Sequence, residues 1–170
     1  MSLKATSELR LAPPGSAEAF PEWQVSGWLN TAEPLRVADL RGRVVLVHAF
    51  QMLCPACVTH AVPQAARVHA AFAPEVVTVV GLHTVFEHHA AMAPHALEAF
   101  VHEFGLDFPI GVDAPAASGP LPRTMADLGL HGTPTLLLLD REGRLRAHCF
   151  GAIDDLAVGV ALGRLVAESP

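Results

Sequence analysis

The chain has 170 residues, enough for one ordinary domain with a full hydrophobic core and too few for two of that size. Apolar residues make up 51% and charged ones 16%, and 11 Lys and Arg stand against 17 Asp and Glu for a formal charge of −6, with no run of basic residues. That balance excludes global disorder and argues against a nucleic-acid or anionic-membrane surface, and three cysteines are too few for a disulfide-stapled framework.

Residues 1–20, with Lys4, Glu8, Arg10 and Glu18 interrupted by Pro13 and Pro14, read as an N-terminal extension to a domain over 21–170. They contain no apolar run of secretory length, which predicts a cytoplasmic location, and no run anywhere is long enough to span a bilayer. Residues 23–29 read as a short strand region. Residues 44–50, Val-Val-Leu-Val-His-Ala-Phe, are apolar on both alternating faces, the pattern of a central strand covered on both sides. Val58, Ala61, Val62, Ala65, Val68 and Phe72 then share one helical stripe, with Thr59, His60, Gln64 and Arg67 opposite and Pro63 expected to kink the helix. Residues 76–82 form a second buried strand rich in β-branched side chains, so the strand–helix–strand order predicts parallel pairing through a right-handed crossover.

Leu97, Phe100, Val101 and Phe104 recur at helical spacing and Gly105 closes that helix. Residues 111–122 read as a loop rich in Pro, Gly and Ala, followed by a short helix near 123–128. A buried strand over 135–140, a hairpin turn at 141–143, a returning strand over 145–150 and an amphipathic helix through Val158, Leu162, Leu165 and Val166 complete the chain. Cys149, in the returning strand, reads as a small core residue. The order predicts one α/β domain: a central mixed β-sheet flanked by helices.

Cys54-Pro55-Ala56-Cys57 falls where the first central strand gives way to a helix. Unpaired backbone N–H groups and the positive end of the helix dipole at that position stabilise a thiolate, and Pro55 suits the first helical turn. Residues three apart on a helix are neighbours at the separation a disulfide prefers, so the pair is able to close and open. Cys54 is therefore the candidate nucleophile and Cys57 the more buried resolving thiol. Half of a zinc site is the competing structural reading, but no second Cys-x-x-Cys completes it.

These residues, with Gly132-Thr133-Pro134-Thr135 just before a buried strand, give the chain its resemblance to the thioredoxin superfamily, and within it to the TlpA/ResA-like thiol-disulfide oxidoreductases, over about residues 23–166. The resemblance implies a thioredoxin-like fold, with Pro134 as a cis-proline beside the active-site disulfide and Thr133 contacting the bound partner. Thr133, Pro134, Pro55 and Ala56 are thus the candidate substrate-binding residues. It also implies protein thiol and disulfide clients, an upstream reductant, and no cofactor beyond a redox-active Cys54–Cys57 disulfide. A bacterial source and a periplasmic home are the family's norm, against the cytoplasmic reading of the N-terminus.

Two departures stand out. Leu53 occupies the position before the first cysteine where the family usually has Trp, and His48 stands where thioredoxin has a buried Asp that assists proton transfer from the buried thiol. His48 is accordingly a candidate catalytic base with a pKa near neutrality, or else a neutral core histidine. His60 reads as a solvated histidine on the polar helix face, and His131 as a residue of the active-site rim. His83, Glu87, His88, His89 and His95 match no metal-binding spacing and read as a histidine-rich surface loop, with no metal assigned. Two other functions compete with thiol-disulfide exchange. A thiol peroxidase of peroxiredoxin type needs Pro and Thr seven and three residues before its cysteine, where this chain has Val47 and Gln51. A Cys/His metal-binding chaperone would hold copper or zinc through Cys54, Cys57 and a histidine.

Overall fold

A computed structural model describes residues 9–168; the first eight residues of the N-terminal extension lie outside the described part. Among the described residues, β1 (Val25–Leu29), β2 (Val44–Phe50), β3 (Val77–His83), β4 (Ile110–Asp113), β5 (Thr135–Leu139) and β6 (Leu145–Phe150) form one sheet in the order β1-β4-β3-β2-β5-β6. β2, β3 and β4 run parallel, and β1, β5 and β6 pair antiparallel to their neighbours. The central strands β2, β3 and β5 are buried along their whole length, as their unbroken apolar runs require.

Alternation along β2 feeds two separate cores. Val44, Leu46 and Phe50 pack on one face with α1 (Val62–Ala71), α2 (Pro94–Glu103) and α4 (Asp155–Ala167), while Val45, Val47 and Ala49 pack on the other with Trp23, Leu40 and Met125. His48 lies between Val47 and Ala49 in sequence and so points to the first face, the one that covers Cys57.

Two expectations need correction and a third gains detail. The stretch read as a loop from residue 111 begins with β4, whose four residues are too few to carry an alternation signal yet pair with both β1 and β3. The described part of the N-terminal extension, residues 9–20, runs along β6: Ala12 N–H donates to Arg146 O at 2.7 Å, Leu145 N–H to Glu18 O at 2.8 Å, and Ala19 bridges Arg144. The helix after the cysteines is not simply kinked by Pro63. It widens to a π-turn over Cys57–Ala61 before continuing as α1, and the Val62 N–H reaches back to Cys57 O. Proline lacks an N–H and its ring crowds the carbonyl four residues back, so the wider turn removes the conflict before Pro63 is reached.

At the C-terminal end of the parallel strands, the buried Asp113 carboxylate accepts from Thr124 N–H at 2.8 Å and Met125 N–H at 2.9 Å, tying the end of β4 to the start of α3 (Arg123–Asp127). Asp113→Ala leaves both N–H groups unpaired in the interior. The expected loss is about 2–4 kcal/mol of unfolding free energy, read as a lower urea midpoint at unchanged slope.

Candidate active site

β2 delivers the chain at Phe50 to the end of the sheet where β3 and β4 also finish and β5 begins. A turn closed by Cys54 N–H to Gln51 O at 3.2 Å then points the chain into the helix, and Val58 N–H donates to Cys54 O at 3.1 Å. Cys54 is half-buried and Cys57 fully buried, and both are free thiols. The Cys57 backbone N–H donates to Cys54 Sγ at 3.3 Å, and the Cys54 thiol lies 3.5 Å from Thr133 O.

These contacts divide the two ionisations. The hydrogen bond from the Cys57 thiol draws the Cys54 pKa down to about 6 against the opposing effect of burial, with the Cys57 and Ala56 N–H groups and Thr133 adding to it. The same hydrogen bond, then burial, pushes the Cys57 thiol far above its ordinary range. At neutral pH the pair therefore holds a single negative charge, on the more exposed sulfur.

The Thr133–Pro134 peptide is cis, and Thr135 enters β5 opposite Ala49 of β2. Sequence and structure thus bring Cys54, Cys57, Thr133 and Pro134 into one place, with Pro55 exposed and Ala56 half-exposed beside them. Two large apolar side chains lie open on the same end of the molecule: Leu53 at 54% exposure and Phe150 at 58%. The Phe150 ring covers the turn leading to the proline, where any side chain on Gly132 would meet it at 3.0 Å. Sequence reasoning missed Gln51 as part of this arrangement. It is buried, its Oε1 accepts from Phe86 N–H at 3.2 Å, and its Nε2 donates toward Glu87 Oε1 at 3.4 Å and Thr133 Oγ1 at 3.5 Å. A glutamine beside a cysteine motif carries no pattern that announces such a bridge.

His48 departs from the expectation of a base near neutrality. It is fully buried and burial lowers its pKa to about 4, no higher than an ordinary carboxylate, outweighing the hydrogen bond to Gln64. Its Nε2 pairs with Gln64 Oε1 at 3.0 Å, so its partner is a glutamine and not a cysteine. Gln64, assigned to the polar helix face, is buried for that reason, and its Nε2 donates onward to Ile153 O at 2.8 Å and Asp155 Oδ1 at 2.7 Å. His60 is likewise not merely solvated: its Nε2 lies 2.6 Å from the same Ile153 carbonyl. Of the histidine-rich stretch, Glu87, His88, His89 and His95 are exposed as expected, but His83 is buried as the last residue of β3. His131 is exposed. Among the described residues no three His, Cys, Asp or Glu side chains converge as a metal site would require.

No family model matches the chain. A solved structure described as the thioredoxin-like superfamily protein SPOA0173 superimposes with a TM-score of 0.87 at 52% identity, over 90% of this chain and 99% of its own. The chain belongs to the thioredoxin-like superfamily. A thiol-disulfide isomerase from Corynebacterium glutamicum aligns with a TM-score of 0.87 at 47% identity, covering 91% of this thioredoxin-like chain and 99% of the isomerase. Among curated proteins, the thiol:disulfide interchange protein DsbE of Pseudomonas aeruginosa is 29% identical over 137 residues, 79% of this chain and 66% of DsbE. The chain spans only 18% of the length of DipZ from Mycobacterium bovis, which is 28% identical over 132 residues.

The buried histidine of this thioredoxin-like domain makes its stability acid-sensitive. An unfolded chain protonates His48 below about pH 6.5, whereas the folded chain resists until about pH 4. Stability is therefore full above pH 6.5 and falls as the pH drops toward 4, by about 3 kcal/mol for this residue. Urea unfolding across that range is expected to show the decline, and His48→Leu to remove its share of the slope.

Proposed function

We propose that Cys54 and Cys57 cycle between dithiol and disulfide to exchange electrons with protein disulfides. The chain is a thiol-disulfide oxidoreductase. The observation that carries the roles is the split between the two thiols: the half-buried Cys54 sulfur accepts the Cys57 N–H at 3.3 Å with its pKa drawn down to about 6, and the fully buried Cys57 is held protonated beneath it. The Cys54 thiolate attacks one sulfur of a client disulfide, forming a mixed disulfide and releasing the other client sulfur as a thiolate that takes a proton from water. Cys57 then loses its proton and attacks Cys54 Sγ. The Cys54–Cys57 disulfide forms, the second client sulfur leaves as a thiol, and two electrons have passed to the client without a cofactor. A separate reductant restores the dithiol, and the same steps run in reverse donate a disulfide.

The geometry explains why Cys57 waits its turn. Its strongest upward influence is the hydrogen bond to Cys54, reinforced by the negative charge on that sulfur. Both vanish when Cys54 enters the mixed disulfide, so the resolving thiol becomes easier to deprotonate at the step that uses it. Leu53, Pro55 and Phe150 present the apolar surface against which a client polypeptide docks, and Thr133 lies beside Cys54 where client backbone passes. Leu53 supplies part of that surface in place of the indole usual at its position. His48 and Gln64 act behind Cys57 as positioning residues, fixing the helix to β2 and to the start of α4. The periplasmic setting usual for the family that the chain resembles is preferred over a cytoplasmic one.

Two outcomes test the assignment. The rate of Cys54 alkylation by iodoacetamide is expected to be half-maximal near pH 6, with Cys57 and Cys149 far slower at that pH. Cys57→Ala removes the hydrogen bond that holds the thiolate, so the midpoint should rise toward the ordinary thiol value of about 8.5. Alkylation of Cys54 no faster than Cys149 at pH 6 would remove it as the nucleophile. In a second experiment, Cys57→Ala should accumulate a mixed disulfide with a disulfide-bonded test protein, visible by mass, while Cys54→Ala accumulates none.

A further inference from the structure

One cleft at the active-site end of the sheet is not used by the thiol chemistry. It lies between the segment after β3 and the loop after β4, has a volume of about 450 Å³, and is walled by apolar side chains that include Val85, Met92, Val112, Pro115 and Pro120. That volume is within the range of sites that receive small molecules or single large side chains, roughly 300–1,000 Å³. His83 lines it, is 1% exposed, and its Nε2 makes no hydrogen bond. Buried polar atoms without a partner are uncommon in a folded interior, and of the three among the described residues, His48 Nδ1, His83 Nε2 and Thr84 Oγ1, only the His83 nitrogen belongs to a residue that lines this cleft.

The lining restricts the chemistry of that molecule. No Lys or Arg lines the cleft, burial keeps the His83 imidazole neutral with a pKa of about 4, and the other histidine of the lining, His89, is exposed, so no permanent positive charge there balances an anion. The Asp113 carboxylate at its edge already accepts two backbone N–H groups. An apolar body carrying one neutral group fits. A phenol hydroxyl both donates and accepts, so it pairs with the imidazole nitrogen in either tautomer, which an indole N–H or a carbonyl does not.

Position selects the source. The His83 ring packs on Phe50 with centroids 5.2 Å apart, and Phe50 is the residue from which the chain leaves β2 for Cys54. Val85, in the cleft wall, adjoins Phe86, whose N–H is held by Gln51, and Gln51 in turn reaches Thr133 beside Cys54. β3 and β4 are the first and second strands over from β2 on that side, so the cleft lies roughly 5–10 Å across the sheet end from the strand that presents the thiols. An extended peptide covers that distance in about two or three residues.

We propose that this cleft is a specificity subsite that receives a tyrosine side chain of the client polypeptide, about two or three residues from the client cysteine, with His83 as the hydrogen-bond partner of its hydroxyl. The proposal rests on the thiol-exchange reading, and His83 contributes to selection of the client and not to the exchange itself.

The test uses disulfide-linked peptides that differ only in Tyr, Phe or Ala at that spacing, with oxidised glutathione as a disulfide too small to reach the cleft. The wild-type chain is expected to reduce the Tyr peptide with a kcat/KM about five- to tenfold above the Phe peptide. His83→Phe should erase that preference while leaving glutathione exchange unchanged. Ala116→Trp, which blocks the cleft from an exposed loop and leaves the core untouched, should lower kcat/KM for the Tyr and Phe peptides together. Equal rates for the Tyr and Phe peptides with normal glutathione exchange would overturn the subsite and leave the exchange reading intact. Failure to exchange any disulfide would overturn that reading instead. Titration with N-acetyl-tyrosinamide, read on the His83 ring by NMR, then decides the cleft by itself: the chain contains no tyrosine, and saturable shifts absent in Ala116→Trp support the site whereas no shift overturns it.

Discussion

Two thiols at the end of β2 share one stabilised negative charge, and most of what surrounds them follows from keeping that charge on Cys54. The Cys57 thiol and backbone N–H both point at Cys54 Sγ, and the arrangement needs the helix to begin at residue 55 with Cys57 already under cover. β2 makes this possible because it is buried on both faces and delivers the chain to a fixed point at the sheet end. The Pro134 turn brings Thr133 within reach of the same sulfur from the opposite side, held by the pairing of β5 with β2. Remove the sheet end and the cysteine pair is an ordinary helical turn with two ordinary thiols.

The helix that carries Cys57 is held by a polar chain in the interior. Gln64 joins His48 on β2 to the Ile153 carbonyl and Asp155 at the start of α4, and Arg67 closes on Asp155 at the surface with a 2.9 Å contact. An acid in the place of His48 would hold or lose a proton near the resolving thiol. A histidine whose burial drives its pKa to about 4 stays neutral through the working range. The charge that governs Cys57 is then almost wholly that of its neighbouring cysteine, and in the proposed cycle this makes formation of the mixed disulfide the event that releases the resolving thiol.

Much of this was legible in the residues. The cysteine pair at a strand-to-helix junction is a local signal, since its effect depends on neighbours within one helical turn. The unbroken apolar strands announce their own burial in the same way. Gln64 shows the opposite case. A polar side chain that is buried because a partner far away in sequence meets it looks, in the sequence, like one that faces water. Gln64 finds His48 sixteen residues back and Asp155 ninety-one residues on. β4 was hidden for a related reason: four residues that follow Pro109 and include Gly111 show no period, and the strand exists because β1 and β3 supply partners on both sides.

The sequence by itself determined the α/β layering, the position of the thiols and which of them stands at the helix start, because these rest on hydrophobic period and on helix-end electrostatics, both properties of contiguous residues. Only the tertiary structure decided which base-like groups are silent and which surfaces accompany the thiols. His48 is silenced by depth, a quantity no local pattern encodes. Leu53, Phe150, Thr133 and the His83 cleft come together at one end of the sheet from segments nearly a hundred residues apart, because three parallel strands finish there and a fourth begins.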